Sequence, residues 1–151
     1  MTSLVRRYLK TAMLFLVVGL GIGGWMILQR EFASRPISPY VTSAHTHAIL
    51  VGFVMMTILG VAQWMFPRPA RGDARYRPKV AGYVFWIVAS GTSVRVITEL
   101  MRAFDDALWL RVAIVAAGIA QVLGLLLFVV NMWSRIRGVG SPVREAGGER
   151  F

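Results

Sequence analysis

Four long apolar stretches, parted by short polar or proline-broken connections, run through almost the whole chain. They cover roughly Thr11–Gln29, Ala44–Phe66, Val80–Thr98 and Leu108–Trp133. Each is about as long as the ~20 residues an α-helix needs to cross a ~30 Å hydrocarbon core. The third carries Arg95 towards its far end and the fourth starts with Arg111; four crossings remain the simplest reading. The pattern predicts an all-α, polytopic membrane protein: a four-helix transmembrane domain over residues 1–137, followed by a polar tail over 138–151.

Composition agrees with this reading. At 56% hydrophobic residues the chain is too apolar for an ordinary water-soluble domain of 151 residues. The formal charge of +10 invites a nucleic-acid reading, and its placement argues against one. Twelve basic residues fall on one side of the four predicted crossings: Arg6, Arg7 and Lys10, then Arg68, Arg71, Arg75, Arg77 and Lys79, then Arg135, Arg137, Arg144 and Arg150. The other side has Arg30, Arg35, Arg102 and Arg111, offset by Glu31, Glu99, Asp105 and Asp106. This is the positive-inside distribution, and it places both termini in the cytoplasm of a cell with the protein in its inner (plasma) membrane. Contact with anionic lipid headgroups is its secondary consequence.

The first stretch follows basic residues as a secretory signal does. Its apolar part is longer than a signal core, and no small-x-small cleavage site comes before Gln29-Arg30-Glu31, so it reads as a retained helix. With no cysteine, disulfides, thiolate haem ligation and iron–sulfur clusters are excluded. Trp25, Trp64, Trp86, Trp109 and Trp133 stand mostly near segment ends and read as interfacial anchors. Met55 and Met56 read as packing residues. Gly19 and Gly23 form a Gly-xxx-Gly pair that permits close approach of another helix or of a flat ligand, helix packing being the default.

The candidate chemistry is concentrated in Ala44-His45-Thr46-His47-Ala48-Ile49-Leu50-Val51-Gly52, which holds both histidines of the chain. Imidazole ligates haem iron, zinc and copper, and an ionisable or ligating group at membrane depth is a functional hypothesis by default. With the second helix beginning near Ala44, both lie in its first turns, close to the outer face. At ~100° per residue an i, i+2 pair points ~200° apart. One regular helix that chelates an ion uses i, i+3 or i, i+4 spacing, so His45 and His47 must address two different sites. From spacing alone they read equally well as interfacial side chains bonded to loop carbonyls or as ligands. Gly52, seven positions after His45, removes bulk below that imidazole; this suits a porphyrin lying along the helix, or ordinary small-residue packing. Arg95, in the outer part of the third helix, needs an anionic partner, either Glu99 one turn on or a haem propionate. Gln121 and Asn131 read as interhelical hydrogen-bonders.

The run from Ala44 through Phe53, with Gly60 and the closing Trp64-Met65-Phe66-Pro67-Arg68, resembles the tenth transmembrane helix of subunit I of haem–copper oxidases, in the cbb3-type and nitric oxide reductase-like branch. Arg77-Pro78-Lys79-Val80-Ala81-Gly82-Tyr83-Val84-Phe85-Trp86 looks like helix eleven. Gly124–Phe128 with Asn131-Met132-Trp133-Ser134-Arg135 looks like helix twelve, and the glycine-bearing first segment like helix nine. The resemblance implies haem as the cofactor, with His45 on a high-spin and His47 on a low-spin haem of such a subunit; arginines near the outer ends of the family's last helices meet propionates, which offers that role to Arg95 without a motif match. The copper-ligand histidines and the helix that completes low-spin ligation have no counterpart, which implies no copper and no complete oxidase or reductase centre from this chain alone. The family subunit is three arcs of four helices around a pseudo-threefold axis. One arc implies a homo-oligomer, a trimer ahead of a dimer, in which His45 of one protomer and His47 of its neighbour share a six-coordinate haem b (iron protoporphyrin IX). The expected function is electron transfer, with a quinol or a redox protein as partner and no nucleic acid. The alternatives are a gas-binding or sensing haem protein, a non-catalytic accessory subunit of a respiratory complex and, last, copper handling by the His-x-His pair.

Overall fold

Among the described residues the chain is helical throughout. The computed structural model describes residues 3–33, 36–66 and 77–136, with Val143, Gly147 and Gly148 besides. Helix α1 spans Ser3–Phe32. The next crossing is built from α2 (Pro39–Thr46), a π-helical segment (His47–Met55) and α3 (Met56–Met65), without a break. Helix α4 spans Pro78–Arg102 and α5 Leu108–Met132, closed by a 3₁₀ turn at Trp133–Arg135. Among the described residues four helices are long and apolar enough to cross a membrane: Ser3–Phe32, Pro39–Met65, Lys79–Arg102 and Leu108–Met132. The connection carrying Arg68, Arg71 and Arg75, together with Arg35, Arg137, Arg144 and Arg150, lies outside the described residues.

The helices run past the apolar stretches at several ends, for local reasons. The second crossing starts at Pro39 rather than Ala44. Proline is tolerated at the first helical position, where its missing N–H costs no hydrogen bond, and the Ser38 hydroxyl caps the turn by accepting from the Tyr40 N–H at 3.3 Å. His45 and His47 therefore lie about 9 Å and about 12 Å along the helix from its first residue, deeper than a start near Ala44 would put them. Helix α4 starts likewise on Pro78, and the Arg77 N–H donates to Asn131 Oδ1 at 2.9 Å. At its other end α4 continues to Arg102, which brings Glu99 inside the helix. The tight turn to α5 is held by Asp106, which receives both Arg102 and Arg111. The Arg111 hydrogen bond, and then the charge of Arg102, keep the Asp106 carboxyl below its ordinary range.

The packing is an open row. The second crossing lies between α1 and α4, and α5 packs chiefly on α4. The wall between α1 and the second crossing is keyed by glycines on both sides: Ile49 fills the space at Gly19, Phe15 that at Gly52, and Tyr8 that at Gly60. These are close helix approaches of the small-residue kind. The main core gathers Tyr8 and Ala12 of α1, Met56 and Leu59 of α3, and Val84, Phe85, Val88 and Ala89 of α4. Tyr8 meets Phe85 edge to face at 5.0 Å and donates to the Ala81 carbonyl at 3.3 Å. Buried Arg135 closes the same end, its Nη2 donating to the carbonyls of Gln63 (3.1 Å) and Phe66 (2.7 Å) and so capping α3. The outer faces of α1 (Leu14, Val17, Leu20) and α5 (Val122, Leu126, Val130) are exposed and apolar, as lipid requires. All five tryptophans are exposed. Trp86 sits two turns inside α4 against Phe85, away from a helix end.

Candidate functional site

The π-helical segment begins at His47, so the two histidines straddle the change from α- to π-helical turns. Its i→i+5 turns are wider than those of an α-helix, a feature that recurs at functional sites. The histidine rings address different neighbours. His45 lies against α1, its Nδ1 2.9 Å from the Gly19 carbonyl. A Cβ at Gly23 would stand 2.8 Å from His45 Cε1, so a side chain there would displace the imidazole. Beside the ring opens a groove of about 520 Å³ lined by Leu20, Gly23, Gly24, Ile27 and Arg30 among others.

His47 faces α4. Its Nδ1 is 2.8 Å from the Ser43 carbonyl, 3.2 Å from Glu99 Oε2 and 3.3 Å from Ser43 Oγ. A carbonyl oxygen can only accept, so in both rings Nδ1 is the donor of these contacts. That is the orienting hydrogen bond that metal-ligating histidines use.

A buried polar network extends from His47 through three crossings. Glu99, 2% exposed, takes the Ser43 hydroxyl (2.8 Å) and Arg95 Nε (3.1 Å) on Oε1. Arg95 Nη1 donates to Gln121 Oε1 at 3.3 Å, and Gln121 Nε2 donates to Thr92 Oγ1 at 3.0 Å. The Arg95 guanidinium lies over Gly118, where a Cβ would stand 2.7 Å from Nη1, beside a groove of about 420 Å³ between α4 and α5. The Arg95–Glu99 pair expected from the sequence is thus present. Glu99 also reaches His47, a link hidden in the sequence because the two lie 52 positions apart. The signal available was a carboxylate one turn from an arginine, just past the apolar stretch.

Gly52 is placed differently from the porphyrin seat suggested by its spacing. The space it leaves is filled by the Phe15 ring, whose Cγ is 2.4 Å from where a Cβ would stand, so it serves helix packing. Met56 is wholly buried in the core. Among the described residues no three His, Asp or Glu side chains gather as a metal-ion site.

The sequence model for the family described as cytochrome c and quinol oxidase polypeptide I matches residues 3–145. Comparisons with curated proteins and with solved structures return no match.

Proposed function

Because the chain belongs to the cytochrome c and quinol oxidase polypeptide I family, a family that binds haem, we propose that this multi-pass membrane protein is a haem b electron carrier whose haems are shared between protomers. One observation carries the reading. His45 and His47 each tie Nδ1 to a main-chain carbonyl, and the two rings address different neighbours of one helix, α1 for His45 and α4 for His47. A six-coordinate haem needs two convergent imidazoles; one chain supplies two divergent ones. A closed homotrimer would satisfy both, His45 of one protomer and His47 of its neighbour together holding each haem.

The donor set fits the group: two imidazoles, a groove kept open by Gly23 and Gly24 beside His45, and a cation, Arg95, to meet a propionate. When bound, the haem supplies one-electron redox chemistry. The chain's own residues fix the imidazole orientation, exclude water and neutralise acidic substituents. With an imidazole from each of two chains, the group would have no open position for oxygen or nitric oxide, so reduction of either is not assigned to this chain. The orientation puts both termini in the cytoplasm and the histidines towards the outer half of the plasma membrane, on the positive-inside distribution of charge. A quinol or a redox protein is the electron partner.

Absorption spectra of the purified protein, oxidised, reduced and with carbon monoxide, test the reading. Sharp low-spin bands insensitive to carbon monoxide are expected. A shift with carbon monoxide would indicate a gas-binding five-coordinate haem instead, and colourless protein from haem-replete cells would leave an accessory subunit. Sharing is tested by co-expressing His45→Ala and His47→Ala chains. Each alone should lose haem and the mixture should recover part of it; full haem content in either single variant overturns the cross-chain site.

A further inference from the structure

Glu99 is a buried carboxylate inside a membrane-spanning helix, and every hydrogen bond it makes leads towards or away from His47. We propose that Glu99 is a positioning residue: it orients the His47 imidazole and, by its negative charge, raises the electron-donating power of Nε2 and lowers the reduction potential of the iron ligated there. This rests on the haem reading above. The geometry separates Glu99 from a simple counter-ion of Arg95. Oε1 serves Arg95 Nε (3.1 Å) and the Ser43 hydroxyl (2.8 Å), whereas Oε2 is directed at His47 Nδ1 at 3.2 Å. One ring N–H is shared between the Ser43 carbonyl of its own helix and a carboxylate of the next.

A hydrogen bond from Nδ1–H to a carboxylate makes an imidazole a stronger donor than one to a carbonyl alone, and outer partners of this kind tune a metal's potential. The opposing charge of Arg95 lies on the far side of the carboxylate, and its Nη1 is drawn away by Gln121. The negative end of the pair is therefore the one that meets the imidazole. Ser43 contributes twice, by its carbonyl to His47 and its hydroxyl to Glu99, so the arrangement is a closed loop of three residues.

The test is Glu99→Gln, which keeps length and an acceptor oxygen and removes the charge. Redox titration of the haem-loaded protein in lipid nanodiscs should show an upward shift in midpoint potential, with haem stoichiometry and low-spin bands retained. Glu99→Asp, which restores the charge, should move back towards the parent value. A Glu99→Gln protein with haem bound and an unchanged potential overturns the proposal and leaves Glu99 as a staple between α2 and α4. Should Glu99→Gln fail to fold through an unpaired buried guanidinium, the pair Glu99→Gln/Arg95→Gln leaves no buried charge alone. Its potential should lie above that of Arg95→Gln alone, because the two proteins differ only in the Glu99 charge; equal potentials there also overturn the proposal.

If the parent protein binds no haem, the haem reading falls by itself. The positioning role is then read from the proton resonance of His47 Nδ1–H in the haem-free protein. It should move upfield in Glu99→Gln, and an unmoved resonance refutes the contact.

Discussion

Replacing Gly52 by alanine separates the two readings of that glycine and tests how the histidine crossing is held against α1. The added Cβ would lie 2.4 Å from Phe15 Cγ, and 2.7 Å from both Phe15 Cβ and Cδ1. Carbon atoms in ordinary contact stand about 3.5–4.0 Å apart, so Phe15 must retreat by about 1 Å or more. Rotating its ring gives no relief, because its own Cβ is among the overlapping atoms; the α1 backbone itself has to move. Phe15 is buried at 8% exposure, and overpacking of this kind costs about 1–3 kcal/mol. The assay is unfolding of the detergent-solubilised protein, followed by circular dichroism, with haem content measured in parallel. Gly52→Ala should lower stability by that amount. Phe15→Ala should be destabilising alone through its cavity, and the double variant should cost clearly less than the sum, since each change relieves the other. Strict additivity, or haem loss from Gly52→Ala at unchanged stability, would refute the packing argument and return Gly52 to the cofactor.

Two further outcomes follow from the ends of the helices. Arg135→Ala removes the cap on the Gln63 and Phe66 carbonyls and should cost about 2–3 kcal/mol in the same unfolding assay, with haem content unchanged because the histidines pack with other residues; equal stability would show that the cap contributes nothing. Asp106 is held below its ordinary range chiefly by the Arg111 hydrogen bond, so its contribution is complete above the unfolded value near ~3.9 and fades as pH falls through the depressed folded value. Melting temperatures of parent and Asp106→Asn should therefore differ slightly at neutral pH and converge in acid; the group is fully exposed, and a gap that persists at low pH would contradict the assignment.

Much of the architecture was legible in the chain because a bilayer imposes a length and a polarity on every crossing. Long apolar stretches become helices there, since no water can satisfy a bare backbone. What hydropathy reads poorly is where such a helix stops. Pro39 and Pro78 look like breakers and are first helical residues, and Glu99 looks like the start of a loop and is inside α4. The i, i+2 spacing of the histidines was enough to show that one regular helix sends them apart, and their neighbours, α1 and α4, are indeed different.

The sequence by itself determined the helical class, the number of crossings and the divergence of the two imidazoles, because each follows from local periodicity and composition. Tertiary structure alone decided what each residue touches. Gly52 could seat a porphyrin or a helix until Phe15 was seen to fill it. Glu99 could answer only Arg95 until α2 and α4 brought the Ser43 hydroxyl to the same oxygen and His47 to the other. The π-helical turns from His47 onward had no signature in the hydropathy. Contacts between residues 52 positions apart depend on how helices lean on one another, and that is set by the fit of facing surfaces rather than by the order of residues along any one of them.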